Sequence, residues 1–186
     1  MSVGRITLAI ALLLSSMALG ACDDDPFALS WDNFPDTTVI YSLARPETHL
    51  PSAFNFVARA GVRIEAPTTA GRWDLALDTR DGELVFLPPR ALGVISTAGL
   101  LALPGEVFED VAEAPRDSTV YVRDEPVPVE LGVVYVIRTH QETGAYGQRC
   151  IYYSKMEPLR ADPETGLVEF VFDGNPLCNE RKLIAP

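Results

Sequence analysis

From residue 38 onward, apolar residues either alternate with polar ones or run together in short blocks, with turn residues between them. A period of two belongs to strands, and residues 38–186 read as a single β-rich domain. Residues 39–43 are β-branched and aromatic, and Arg45-Pro46 and Leu50-Pro51 break the run. Residues 54–57 and 61–65 follow as strands, the second with Val62 and Ile64 alternating. Trp73-Asp74-Leu75-Ala76-Leu77 alternates again, and residues 83–87 complete a hairpin around Asp81-Gly82. Pro88-Pro89 stops it.

The middle of the chain is less regular. Residues 91–103 are apolar but contain Gly93 and Gly99, and they are too short to cross a bilayer. Buried core or the wall of an apolar groove suits them. Residues 104–114 predict a short helix. Pro104-Gly105 opens it, Glu106 and Glu109 sit in its first turns, and Val107, Phe108 and Val111 share a face. Residues 119–123 are a further strand candidate, and Pro126-Val127-Pro128 reads as an exposed connector. Residues 131–139 form the strongest strand. Val133, Val134, Tyr135, Val136 and Ile137 follow one another, so both faces must be covered. Residues 150–159 and 167–173 flank the turn sequence Asp162-Pro163-Glu164-Thr165-Gly166. This pattern predicts an all-β fold: an antiparallel sandwich or a partly open barrel with at most one or two short helices. Trp31-Asp32 and Trp73-Asp74 lie 42 residues apart, but two dipeptides do not make a repeat.

The last hairpin carries a prediction about cysteines. Antiparallel pairing centred on residue 164 sets Met156 opposite Phe172 and Cys150 opposite Cys178. One face then carries Cys150, Tyr152, Met156, Val168, Phe170 and Phe172, which is coherent and apolar. Gly174, Asn175 and Pro176 interrupt the ladder before Cys178. A Cys150–Cys178 disulfide is the simplest pairing, with two free buried thiols as the alternative. No pair of histidines stands near these cysteines to complete a zinc site.

The first 22 residues follow a different logic. Arg5 precedes an uncharged, mostly apolar run of fourteen residues, 6–19, and Leu19-Gly20-Ala21-Cys22 ends it. A permanent membrane span needs about 20 apolar residues. Ser16-Met17-Ala18 offers an ordinary secretory cleavage site. The ordered Leu-Gly-Ala-Cys sequence resembles the lipobox of bacterial lipoproteins. That resemblance implies a signal peptide over residues 1–21, diacylation of Cys22, and a chain held at the membrane of the bacterial cell envelope. Residues 22–37 would then be a lipidated cysteine and an acidic tether, opening with Asp23-Asp24-Asp25-Pro26. An aspartate just after the cysteine resembles an inner-membrane retention signal in enterobacteria. In other bacteria, early acidic residues resemble a surface-export signal. Inner and outer membrane both stay open.

Charge narrows the partners. Removing residues 1–21 of 186 leaves 165, and the loss of Arg5 takes the net charge from −11 to −12. Nucleic acid and anionic head groups both call for Lys and Arg clusters, so neither is an expected partner of this surface. The lipid on Cys22 would do the holding, with an envelope protein or a small molecule as possible ligand. An envelope location beyond the cytoplasm also permits the disulfide.

Catalytic signatures are absent from the sequence: there is no Gly-x-Ser-x-Gly elbow, no phosphate loop and no His-Glu-x-x-His. Residues 78–83 have a calcium-loop look, but Arg80 stands in it and a hairpin tip explains them. Asp162, Glu164 and Glu169 suit a solvated turn. No cofactor is called for by these motifs. The two histidines, His49 and His140, fall in a loop and at a strand end.

The strand order adds a second resemblance. Tyr41-Ser42-Leu43, Trp73-Asp74-Leu75-Ala76-Leu77, Val134-Tyr135-Val136-Ile137-Arg138-Thr139, a Tyr-rich strand with Lys155 and a closing strand come in sequence. This is similar to the HmuY-like haem-binding lipoproteins of bacterial envelopes. The resemblance implies an all-β, lipid-anchored haem carrier, with His49 and His140 as candidate ligand-binding residues. The stretch 88–128 and the Cys150/Cys178 pair depart from that family. The reading is therefore a non-enzymatic ligand- or protein-binding module; a haem carrier and an enzyme with a dispersed acidic site are the alternatives.

Overall fold

The computed structural model describes residues 30–64 and 71–186. The lipobox, Cys22 and Asp23 to Asp25 lie outside the described residues, as does Glu65 at the end of an expected strand. Twelve strands follow in chain order: β1 (Asp36–Tyr41), β2 (Ala53–Asn55), β3 (Ala60–Val62), β4 (Leu75–Arg80), β5 (Glu83–Leu87), β6 (Gly99–Leu103), β7 (Val127–Pro128), β8 (Val134–Arg138), β9 (Glu142–Thr143), β10 (Arg149–Cys150), β11 (Tyr153–Asp162) and β12 (Leu167–Gly174). Two antiparallel five-stranded sheets, β1-β12-β11-β8-β6 and β3-β2-β4-β5-β7, face each other as a sandwich and do not close into a barrel. β9 and β10 form a separate two-stranded ribbon. Residues Trp31–Pro186 make one compact unit, and β1 begins two residues ahead of the expected start at residue 38.

Local chemistry explains the turns. The β4–β5 hairpin closes through Asp81 and Gly82, with φ of 53° and 86°, as a two-residue turn with both angles positive requires. At the β11–β12 turn the Asp162 carboxylate accepts from the amides of Glu164 and Thr165, both at 3.1 Å. The register expected about residue 164 is present: Met156 faces Phe172, and Ser154 faces Gly174. It shifts by one between Pro158 and Arg160. Proline has no amide hydrogen to give the ladder, and the bulge absorbs that loss.

The inner faces supply the main core. Phe54 meets Phe56, Phe170 and Phe172 edge to face, with ring centres 4.9, 5.4 and 4.8 Å away. β8 is apolar on both faces, as expected. Tyr135 and Ile137 enter this core, while Val134 and Val136 point outward. Their outward side is sealed by Phe108, Val111 and Ala114 of the stretch before β7, and by Tyr121 and Leu183.

That seal differs from the helix expected over residues 104–114. Among the described residues there is no α-helix, and this segment runs as turns. Lys155 Nζ donates to the carbonyls of Phe108 at 2.7 Å and Val111 at 3.1 Å. A helix would commit such carbonyls to its own amides. Gly105, with φ of 83°, also turns the chain away from helical geometry. Pro126-Val127-Pro128 is a further correction. Its last two residues are β7, an edge strand on β5, where the missing proline amide can be tolerated. The strand expected over residues 119–123 is replaced by a 3-10 turn, Ser118–Val120, and a single bridge from Val122 to Leu100.

Candidate functional site

Two of the buried polar residues, Asp74 and His140, meet beside the start of β4. Asp74, just before β4, is enclosed between Trp73 and Leu75. Its Oδ1 accepts from the His140 amide and lies 2.6 Å from His140 Nδ1; its Oδ2 accepts from the Phe56 amide at 2.8 Å. His140 Nε2 lies 3.1 Å from Glu142 Oε1. Burial pulls the imidazole pKa down, but the Asp74 hydrogen bond and charge, with Glu142, outweigh it and hold His140 above its ordinary value. Asp74 and His140 are thus a pin between the second sheet and the end of β8.

An acid–imidazole pair also supplies two members of a hydrolytic triad, in which Nε2 faces the nucleophile. Here Glu142 takes that position, and Cys150, the residue opposite Glu142, is tied to Cys178. Among the described residues the partners of the imidazole nitrogens are the carboxylates of Asp74 and Glu142, and the pair joins the two sheets.

The structure does not bring His49 and His140 together. His49 is exposed in the loop between β1 and β2, two residues from Pro51, whose carbonyl accepts from Tyr41. That loop is fastened near the far end of β4, where Thr79 Oγ1 donates to Ser42 Oγ at 2.8 Å. His140 sits at the near end, on Asp74. Five extended residues from 74 to 79 span about 16 Å. An axial pair on one iron needs two free ring nitrogens converging on one metal, and both nitrogens of His140 already face carboxylates. The two histidines do not fit a bis-histidine haem.

The remaining sequence-predicted site residues are Cys22, outside the described residues, and Cys150 and Cys178, which form a disulfide. Cys150 is fully buried in β10, beside the ribbon partner Glu142. The bridge lies beyond the β11–β12 ladder, which ends at Gly174.

The outer face of the first sheet holds a groove of about 480 Å³. Alternation along β11 and β12 explains it. Met156 and Phe172 point into the sandwich, so Lys155, Glu157, Val171 and Asp173 point out, paired as Lys155 with Asp173 and Glu157 with Val171. Phe108 and Glu109 of the covering segment form one wall; Ile184 of the C-terminal tail and Asn33 and Pro35 ahead of β1 form the others. Leu159, at the bulge, is half exposed on the floor.

Sequence reading missed Asp74 as a pin, Lys155 as a buried cation and the groove. The first two had a local signal. A single charge set in Trp73-Asp74-Leu75-Ala76-Leu77, or in Tyr153-Ser154-Lys155-Met156, has apolar neighbours on both sides and must find a partner when buried. The groove had none, because it depends on where a cover of irregular structure lies. No family model matches the chain. A search of the curated proteins finds no match either.

Proposed function

We propose that this chain is a lipid-anchored, non-enzymatic binding module of the bacterial cell envelope. Cys22 carries the anchor, and the β-sandwich presents a ligand site on its outer face. The observation that carries the reading is the groove over Lys155, Glu157, Leu159, Val171 and Asp173, a concave surface where apolar side chains stand beside charged ones. The occupied Nε2 of His140 favours binding over hydrolysis. The Cys150–Cys178 bridge suits an oxidising compartment, which is where a lipobox would send the chain. The acidic surface argues against nucleic acid as partner.

Two measurements test this. Cys22→Ala is expected to release the protein from membranes in fractionated cells. Retention of the variant with the membranes would sink the anchor. Native mass spectrometry of the full chain, taken from the envelope in non-ionic detergent, is expected to show a bound mass or, after crosslinking, a partner. A bare chain with no crosslinked partner would remove the binding role.

A further inference from the structure

We infer that the groove on the outer face of the first sheet takes a short basic and apolar peptide segment of a partner protein, with a Lys or Arg side chain between Glu109 and Glu157. This rests on the binding-module reading and names the ligand class of the same groove.

The apolar part of the argument is where exposed side chains gather. Nine large hydrophobic side chains are exposed among the described residues, and two of them line this groove. These are Leu159 and Ile184, and Pro35, Phe108 and Val171 line the groove with them. Scattered exposed hydrophobics are ordinary, but a contiguous patch with a polar rim marks an interaction surface.

The charge of the ligand follows from which groups are already partnered. Lys155 donates to two carbonyls and lies 4.8 Å from the centre of the Phe108 ring. Asp173 accepts from Asn33 Nδ2 and from the amides of Phe34 and Gly174, and Arg59 stands 3.7 Å away. Glu109 and Glu157 have no ion pair among the described residues. The groove therefore offers two carboxylates without a close ion pair among the described residues, Glu109 also feeling the Lys155 charge, beside the apolar side chains of Leu159, Val171 and Ile184, inside a chain of net charge −11. A cation attached to an apolar body complements it. Anionic lipid head groups are repelled by the same rim. The Asp23-Asp24-Asp25 run carries the wrong sign to fill the groove from within the chain.

Size fits a short segment. The floor from Lys155 to Leu159 spans about 13 Å of strand, room for roughly four extended residues. A contact that small belongs with weak, reversible partners.

The test is a calorimetric titration of the full chain, in non-ionic detergent, with a seven-residue peptide alternating Leu and Lys. Saturable one-to-one binding is expected. Glu109→Gln with Glu157→Gln should weaken it at least tenfold, and Leu159→Ser at least fivefold. Glu83→Gln with Glu130→Gln, at a separate surface depression, should change it less than twofold. Each variant is first checked for an unchanged melting temperature, and one that unfolds is replaced by Glu157→Gln alone, expected to weaken binding at least threefold. Absence of saturable binding overturns the inference. So does equal weakening by both double variants, which would mean diffuse charge attraction, or equal binding of a peptide with Glu in place of Lys. If the probe fails while the envelope-derived chain still carries a bound mass or a crosslinked partner, this groove assignment falls and the binding-module reading stands.

Discussion

Asp74→Ala is expected to lower stability by about 3–5 kcal/mol, read as a fall in the guanidinium midpoint with an unchanged slope. The reason is the number of donors left behind. Asp74 is fully buried and receives the amides of His140 and Phe56 as well as the His140 ring. Alanine leaves two buried amides and an imidazole unsatisfied, each worth about 1–3 kcal/mol. Asp74→Asn keeps an acceptor and is expected to lose less. A loss below about 1 kcal/mol for Asp74→Ala would show that the pin does not hold the two sheets.

The same pin has a pH signature. The folded protein holds His140 above its ordinary value, which is about 6.5 in the unfolded chain. A raised folded pKa means that the stability from the charged imidazole is fully present below the unfolded value. It is lost as pH rises through the folded value. The stability difference between the wild type and His140→Gln should therefore shrink from about pH 6.5 upward. Taking the difference cancels the titration of carboxylates remote from residue 140. A flat difference would mean that His140 does not change charge over that range.

What was readable in the sequence, and what was not, divides by the range of the interactions. The β4–β5 and β11–β12 hairpins were legible because Asp81-Gly82 and the Asp162 turn fix geometry within four residues. The register of β11 on β12 was legible because one face had to be apolar. β8 was legible as covered on both sides, but what covers it was not. The helix reading of residues 104–114 followed from a good local pattern. It failed because Lys155, more than forty residues away, takes the carbonyls of Phe108 and Val111. The groove is walled on one side by Phe108 and Glu109 of that same cover. His140 was singled out for haem, yet its environment is set by Asp74, 66 positions earlier, and nothing near residue 140 announces it.

Replacing both Cys150 and Cys178 with serine is expected to lower stability by about 3–4 kcal/mol, since the bridge closes a loop of 28 residues. The effect should not be uniform. The bridge joins the β9–β10 ribbon to the C-terminal tail, and Asn179 reinforces it by donating to the carbonyls of Ile151 and Arg149. The tail in turn clamps the cover: Leu183 donates to the Ala112 carbonyl at 2.7 Å, and Ala114 to the Arg181 carbonyl at 2.8 Å. Ribbon, tail and cover are thus linked in series, while β4, β5 and β8 are held by the core. In hydrogen exchange, the amides of Leu183, Ala114 and Asn179 should lose protection in the double variant well before those of β8. Uniform loss across both regions would show that the bridge acts only on the unfolded chain. Thiol labelling of the wild type under denaturing, non-reducing conditions should find both cysteines blocked. Because Phe108, Glu109 and Ile184 wall the groove, loosening of cover and tail should also weaken whatever binds there. Reduction would then act on ligand affinity through the walls of the site, with its floor on β11 and β12 still folded.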